Sequence, residues 1–342
     1  MSPRRASPPS ASSAPLTPPR APDPAAVARF ADDLARVLPA TSAPLLVAVS
    51  GGPDSVALLL LAHRLLGLRC VAATVDHGLR REAAEEAAWV AELCAALGVR
   101  HAVLTGALPE RDGRTRNVSA RARVLRYGLL RAQADAVQAA AIATAHHADD
   151  QVETMVMRLN RGAGLSGLAG VRARGDGVIR PLLGWRRAEL AAIVAACGIA
   201  PVDDPSNRDP RFDRARVRAA IGAAPWIEAA AWTRSAQALA EAETALEWTA
   251  DRLWQERCVV TGGVVALSPA GLPFELQRRL VARCVVAIDP DSEPRGSAVA
   301  NAVEALARGG TVTLGNVLCR GLRDACDEPV WRFAEAPPRR ST

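Results

Sequence analysis

The chain contains no lysine, so all 42 of its basic side chains are arginine. Its positive charge is therefore carried by planar, always-ionised guanidinium groups, which suit phosphate better than point-like ammonium does. Aromatic residues are scarce at 4%, and Tyr127 is the single tyrosine. The seven cysteines are an odd number and no two of them form a CxxC pair. Neither a zinc ribbon nor a disulfide framework is indicated, and a reducing cytoplasm fits best. No uninterrupted apolar run reaches membrane-spanning length. Arg4 and Arg5 are followed by Pro and Ser where a signal peptide needs an apolar region, so a soluble cytoplasmic protein with no membrane partner is expected. What is present is a hydrophobic fraction of 49% in 342 residues, enough for two domains. The formal net charge of +6 suits an anionic partner such as nucleic acid.

Residues 45–60, LLVAVSGGPDSVALLL, organise the rest. The apolar run Leu45 to Val49 predicts a buried strand, broken at Ser50-Gly51-Gly52-Pro53, with a helix from Asp54. Strand, glycine turn and helix N-terminus together make an anion site, because backbone N–H groups converge there and the helix dipole adds partial positive charge. Ser50 and Ser55 add hydroxyl donors. Asp54 would repel a bare phosphate but suits one that carries Mg²⁺. No Gly-Lys-Ser/Thr follows, so this is not a Walker A loop.

Residues 1–24 are rich in Pro, Ser and Ala and read as a disordered tail. Helical spacing covers 25–37. Strands are expected at 69–75, 99–104 and 139–144, separated by helices at 82–97 and 119–137. Such alternation implies a parallel, doubly wound sheet, whose ligands sit beyond the carboxyl ends of the strands. Three polar clusters follow predicted strands and would line that one edge: 50–55, 76–80 and 146–153.

The last of these, His146-His147-Ala148-Asp149-Asp150-Gln151-Val152-Glu153, packs two histidines and three carboxylates into a strand end and a helix start. Acidic residues in a first turn complement the helix dipole, which is the purely structural reading. HHxDD lacks the HExxH zinc spacing and has no nearby cysteine. Carboxylates together with phosphate oxygens make the hard site that Mg²⁺ prefers.

The hexapeptide Ser50–Ser55 resembles the SGGxDS pyrophosphate loop of the N-type ATP pyrophosphatases, the PP-loop family. His147-Ala148-Asp149-Asp150-Gln151-Val152-Glu153-Thr154, with Arg161-Gly162-Ala163-Gly164-Leu165-Ser166-Gly167-Leu168, resembles the HHxDDQxET…RGxGxxGL signature of the tRNA(Ile)-lysidine synthetase family. Val75–Arg80, Ala122–Tyr127, Arg180–Leu183 and Asp204–Asn207 match the same family in order. The resemblance runs from about residue 45 to residue 218, roughly half the chain. It implies an adenine nucleotide α-hydrolase-like α/β domain at 25–222; residues 223–342, where the composition changes, read as a smaller accessory domain, mainly helical with a few short strands, that helps hold the tRNA. The implied reaction is ATP-dependent adenylation of O2 of the wobble cytidine in the isoleucine tRNA with a CAU anticodon. Free lysine then displaces AMP through its ε-amine to give lysidine.

On this resemblance ATP lies on Ser50, Gly51, Gly52, Pro53, Asp54 and Ser55, with Asp76 and His77. Mg²⁺ reaches the phosphates through Asp54 and Asp150. Asp54, His147, Asp149, Asp150 and Glu153 are the catalytic candidates. The incoming amine has a pKa of about 10 and must lose a proton, so a base is required; Asp149, His147 and Glu153 are unranked for it. Candidate tRNA contacts are Arg80, Arg123, Arg126, Tyr127, Arg161, Arg214, Arg216 and Arg218. Tyr127 can stack on a base, although core packing is the commoner role for such a side chain. A homodimer is left open.

Two departures from the family pattern stand out. Ser119 occupies a position where the family often has Glu. In Phe212-Asp213-Arg214-Ala215-Arg216-Val217-Arg218, Ala215 replaces the Asn of FxRNRxR. On a helix the three arginines would spread round the axis, whereas an extended run would set them on one side.

From about residue 223 the composition turns Ala-rich. Residues 229–256 read as one long helix or a helical pair with a core role for its tryptophans. A hairpin is expected around Gly262-Gly263, helices at 273–286 and 298–307, and strands around Gly315. The large additional C-terminal domain of some family members is expected to be absent or reduced. Two alternatives share the loop. A tRNA thiolation enzyme would need reactive cysteines, usually in CxxC pairs. A non-catalytic RNA-binding protein would have no use for the acidic cluster.

Overall fold

The computed structural model describes residues 18–76, 81–106, 118–202, 211 and 213–337. These fall into two compact units that divide between Ala240 and Glu241. The first unit holds α1 (Pro24–Val37), β1 (Leu45–Ala48), α2 (Pro53–Leu66), β2 (Cys70–Asp76), α3 (Arg81–Leu97), β3 (Arg100–Thr105), α4 (Val118–Ala136), β4 (Ala141–Ala143) and α5 (Ala148–Leu159). It continues with α6 (Leu165–Leu168), β5 (Arg174–Gly175), β6 (Val178–Ile179), α7 (Arg187–Ala196) and α8 (Asp213–Gly222).

Six strands form one sheet in the order β3-β2-β1-β4-β6-β5, parallel except for β5. The chain builds outward from β1 to β3 and then returns to place β4 on the other side of β1. Strand order therefore reverses between β1 and β4, where a ligand crevice forms in sheets of this kind. Side chains alternate across the sheet. Leu45 and Val47 join a core with Phe30, Leu59, Val90, Leu93 and Val194, whereas Leu46 joins Val71, Ala73, Leu130 and Ile142 on the opposite face.

The helix α2 is buried continuously from Ser55 to Ala62. A helix that is apolar all round is an internal one, so the N-terminus of α2 is fixed by packing along its length. Trp185 is fully buried behind it; its indole N–H donates to Asp33 at 2.9 Å, and the Arg29 guanidinium lies 4.0 Å from its ring.

The long helix α9 (Ala229–Arg257) is a single element. From Glu241 the second unit continues with β7 (Cys258–Thr261), β8 (Val264–Leu267), α10 (Phe274–Ile288), α11 (Gly296–Ala307), β9 (Thr311–Leu314), β10 (Val317–Arg323) and β11 (Pro329–Glu335). Its sheet runs β7-β8-β11-β10-β9 and is antiparallel throughout. Trp331 and Phe333 of β11 pack with Leu267, Leu280, Val299 and Leu306. This five-stranded sheet is more extensive than the sequence indicated, because β11 was not among the expected strands. Of the tryptophans on α9, Trp232 and Trp254 pack partly into cores. Trp248 departs from the core expectation: it is 61% exposed, with the Arg252 guanidinium 5.2 Å from its ring. Among the described residues no helix is long and apolar enough to cross a membrane.

Candidate active site

The loop after β1 is shaped by one glycine and one serine. Gly51 has φ +86°, the left-handed region that a side chain disfavours, and its carbonyl accepts from the Val202 N–H at 3.1 Å. The Ser55 hydroxyl donates to the Gly52 carbonyl at 2.9 Å and accepts from the Ser50 N–H at 3.1 Å; it also lies 3.2 Å from the Ser50 hydroxyl. The first turn of α2 is thereby tied back onto the loop. Gly52 caps α2 without any side-chain bond, and Pro53 occupies the start of the helix. The helix N-terminus is left available to an anion rather than to a capping side chain.

Across the switch point, β4 delivers His147 to the start of α5. His147 caps that helix reciprocally: its Nδ1 accepts from the Asp150 N–H at 3.4 Å, and Asp150 Oδ2 accepts from the His147 N–H at 3.1 Å. The other ring nitrogen, Nε2, lies 3.4 Å from Asp54 Oδ2 and 3.5 Å from Asp150 Oδ2. Burial works to lower the His147 pKa. The hydrogen bond to Asp54 and the charges of Asp150, Asp54 and Asp149 outweigh it, and the net shift is upward. Its neighbour His146 goes the other way, to about 4, chiefly through burial; its Nδ1 is 3.0 Å from the Thr144 hydroxyl.

The remaining acids of α5 are held by arginine. Asp149 receives the Arg186 side chain at 2.9–3.3 Å and the Arg187 backbone N–H at 2.8 Å. Glu153, nearly fully buried, receives Arg218 Nε at 2.6 Å and Arg214 Nε at 2.7 Å. Arg214 also donates to Asp150 Oδ1 at 2.8 Å. Burial would raise the pKa of Asp149 and of Glu153, but these arginines overcome it and hold both carboxyls below their ordinary values. Beside them lies a cavity of about 560 Å³ lined by Asp149, Glu153, Arg186, Arg187, Arg218 and Glu228, among others.

One acid differs. Both Asp150 oxygens have partners, whereas Asp54 Oδ1 is buried with no hydrogen-bond partner among the described residues. A buried, unmatched carboxylate oxygen at the mouth of an open helix N-terminus fits a divalent cation arriving with phosphates. Among the described residues no three His, Cys, Asp or Glu side chains are grouped to hold a metal by themselves, so phosphate oxygens would have to complete such a shell.

Residues 26–224 match the family model of the PP-loop domain. A tRNA(Ile)-lysidine synthase of Novosphingobium aromaticivorans is 43% identical over 323 residues, which is 92% of this chain and 95% of that one. The enzyme of the same name from Zymomonas mobilis is 41% identical, covering 86% and 89% of the two chains. The chain belongs to the tRNA(Ile)-lysidine synthase family. Members of this family are ATP-using ligases of the PP-loop type. Among solved structures, the U34-tRNA thiolase NcsA from Methanococcus maripaludis with its 4Fe-4S cluster superposes with a TM-score of 0.52 at 16% identity, covering 63% of this chain and 80% of that one. At that identity the likeness concerns the fold.

Against the lysidine synthase signature, the structure brings Ser50 to Ser55, His147, Asp149, Asp150, Glu153, Arg214 and Arg218 into one neighbourhood. Asp76 ends β2 at the same carboxyl edge. The three arginines after Phe212 do lie on a helix, α8, and are spread round it. Arg214 and Arg218 face α5, whereas Arg216 donates to Asp213 at 2.5 Å, and Arg161 reaches the same carboxylate at 3.4 Å. On α4, Arg123 and Arg126 are exposed, and the Arg123 guanidinium lies 4.9 Å from the Tyr127 ring. His77 and Arg80 lie outside the described residues, as do Asp204 to Asn207.

Arg186, Arg158 and Gln151 were not singled out from the sequence. Arg186 meets Asp149 across 37 positions, a pairing with no local spacing to announce it. Gln151 is buried within the signature itself, and a polar side chain inside an otherwise conventional first turn was the available signal.

Proposed function

We propose that this protein adenylates O2 of the wobble cytidine in an isoleucine tRNA with a CAU anticodon, releasing pyrophosphate, and that the ε-amine of free lysine then attacks C2 and displaces AMP. The observation that carries the reading is the 3.4 Å approach of His147 Nε2 to Asp54 Oδ2 across the β1/β4 switch point, which joins the pyrophosphate loop and the acidic signature in one site.

Backbone amides of Gly51 and Gly52, the hydroxyls of Ser50 and Ser55 and the dipole of α2 face the phosphates that leave, where developing charge is best stabilised by preorganised donors. Asp54 would hold Mg²⁺; its unmatched Oδ1 supports that assignment over Asp150, whose oxygens are engaged. When bound, the ion offsets the negative charge of the β,γ-phosphates. Of the three candidate bases, Asp149 and Glu153 are weakened by their arginine partners, and His147, with its raised pKa, is the stronger. The cavity beside Asp149 and Glu153 is lined by both carboxylates and guanidiniums, a charge distribution that suits a free amino acid. A cytoplasmic location accords with a tRNA substrate and with seven free thiols.

The test supplies ATP and Mg²⁺ with either labelled lysine or a sulfide donor, with and without the CAU-anticodon tRNA. AMP release that requires both lysine and that tRNA supports the reading. AMP release without tRNA would indicate a small-molecule acceptor and would overturn it.

A further inference from the structure

The arginines near the site divide by partner. Arg186, Arg214 and Arg218 bond carboxylates. Arg158 and Arg180 donate instead to neutral carbonyls: Arg158 NH1 to Gly167 at 2.5 Å and Gly170 at 3.0 Å, and Arg180 NH1 to Arg172 at 2.7 Å. Among the described residues Arg123 and Arg172 have no carboxylate partner, and Arg180 Nε is buried with no partner at all. These guanidinium charges feel one another. Arg158 is depressed by burial and then by Arg172 and Arg123. Arg180, Arg123 and Arg214 all act on His146.

The backbone between Gly167 and Arg172 is fixed firmly enough to hold such charges together. The Gln151 side chain accepts from the Val171 N–H at 2.6 Å and donates to the Val171 carbonyl at 2.9 Å. Gly170, at φ +67°, leaves no room for a Cβ, which would stand 2.4 Å from Gln151 Oε1. With Arg158 bonding two further carbonyls, the segment is pinned to α5 through its main chain. Arg172 follows directly, and Arg180 sits at the carboxyl end of β6. Arg123 lies in the N-terminal half of α4, which follows β3. All three thus belong to the edge that carries the active site.

Guanidiniums gathered without counter-charge repel one another and favour a ligand that brings several negative charges at spaced positions. A triphosphate is served by the loop at α2; a chain of phosphodiesters is the remaining fit. We propose that Arg172 and Arg180 join Arg123, already a candidate tRNA contact, in one lip that grips the RNA backbone beside the adenylation site. This rests on the tRNA reading above and names residues for it.

The experiment measures the affinity of the full chain for the unmodified CAU-anticodon tRNA across a salt series, without ATP. Arg123→Ala and Arg172→Ala should each weaken binding at low salt on the order of tenfold and reduce the slope of log affinity against log salt by about 0.7–0.9. Arg180→Gln, which keeps a donor for the Arg172 carbonyl, should do the same, and Arg172→Lys should restore the slope. The KM for ATP should stay at the wild-type value. Unchanged slopes in the three neutral variants, with a wild-type protein that binds and modifies the tRNA, would overturn the lip alone. A wild-type protein that neither binds nor modifies that tRNA would overturn the functional reading and the lip with it.

Discussion

His147 Nε2 lies 3.4 Å from Asp54 Oδ2, although the two residues stand 93 positions apart in the numbering. Asp54 comes from the first turn of α2 and His147 from the cap of α5, so two helix N-termini are locked face to face over the β1/β4 crevice. The contact has consequences for titration, stability and catalysis.

His147 should titrate above the ordinary histidine range, and Asp54→Asn should bring it down. A ring whose pKa is raised on folding contributes stability that is complete below about pH 6.5 and is lost as the pH rises through the folded value. Protonation at Nδ1 would exchange a long cap bond of 3.4 Å for attraction to Asp149 Oδ2 at 3.7 Å. His63, His101 and His146 are all pushed downward, so the ring signal that moves at highest pH among these four is expected to be His147. An NMR titration of the histidine rings checks this; an unchanged signal in Asp54→Asn would contradict it.

Glu153→Gln should unfold more easily by about 2–4 kcal/mol, because it leaves Arg218 without its buried counter-charge and Arg214 with Asp150 alone. The partial exposure of both arginines keeps the loss below that of a wholly buried pair. The depressed pKa values of Glu153 and Asp149 give a stabilisation that is present above about pH 4 and lost as the pH falls through their folded values. Denaturant unfolding at pH 7 and near pH 3 measures both effects. Normal stability with a lower kcat would instead make Glu153 a catalytic base.

Gly51→Ala should cost about 1–2 kcal/mol through its backbone, since φ is +86° there. Space is not the obstacle: an added Cβ would meet Val202 and Val90 at 3.5 Å, ordinary contact. The KM for ATP should rise more than stability falls, because the loop's amides would be turned. Calorimetry beside steady-state kinetics separates the two, and an unaltered KM for ATP would remove Gly51 from the phosphate site.

Asp54→Ala should abolish AMP formation while tRNA is still retained on a filter. Loss of both together would mean that Asp54 acts mainly by bracing His147.

Local chemistry made much of this legible in the sequence. The apolar run before Ser50 and the glycines after it announced β1, the loop and α2. The alternation of strands and helices announced a parallel sheet, and with it the edge on which polar residues would meet. Pairings set by tertiary structure were out of reach. Nothing near Asp149 indicates Arg186, and nothing near Glu153 indicates that Arg214 and Arg218 would neutralise it instead of facing solvent. The two-residue strands β5 and β6 are too short for any periodicity, whereas β11 does carry a strand-like alternation at Trp331 and Phe333.

The most direct test is the mass of the wobble nucleoside in the CAU-anticodon tRNA after incubation with the protein, ATP, Mg²⁺ and lysine. The wild type is expected to convert cytidine to its lysine adduct, and Asp54→Asn to leave it unchanged. An unmodified or thiolated wobble base with the wild type, or an adduct formed equally well by Asp54→Asn, would contradict it.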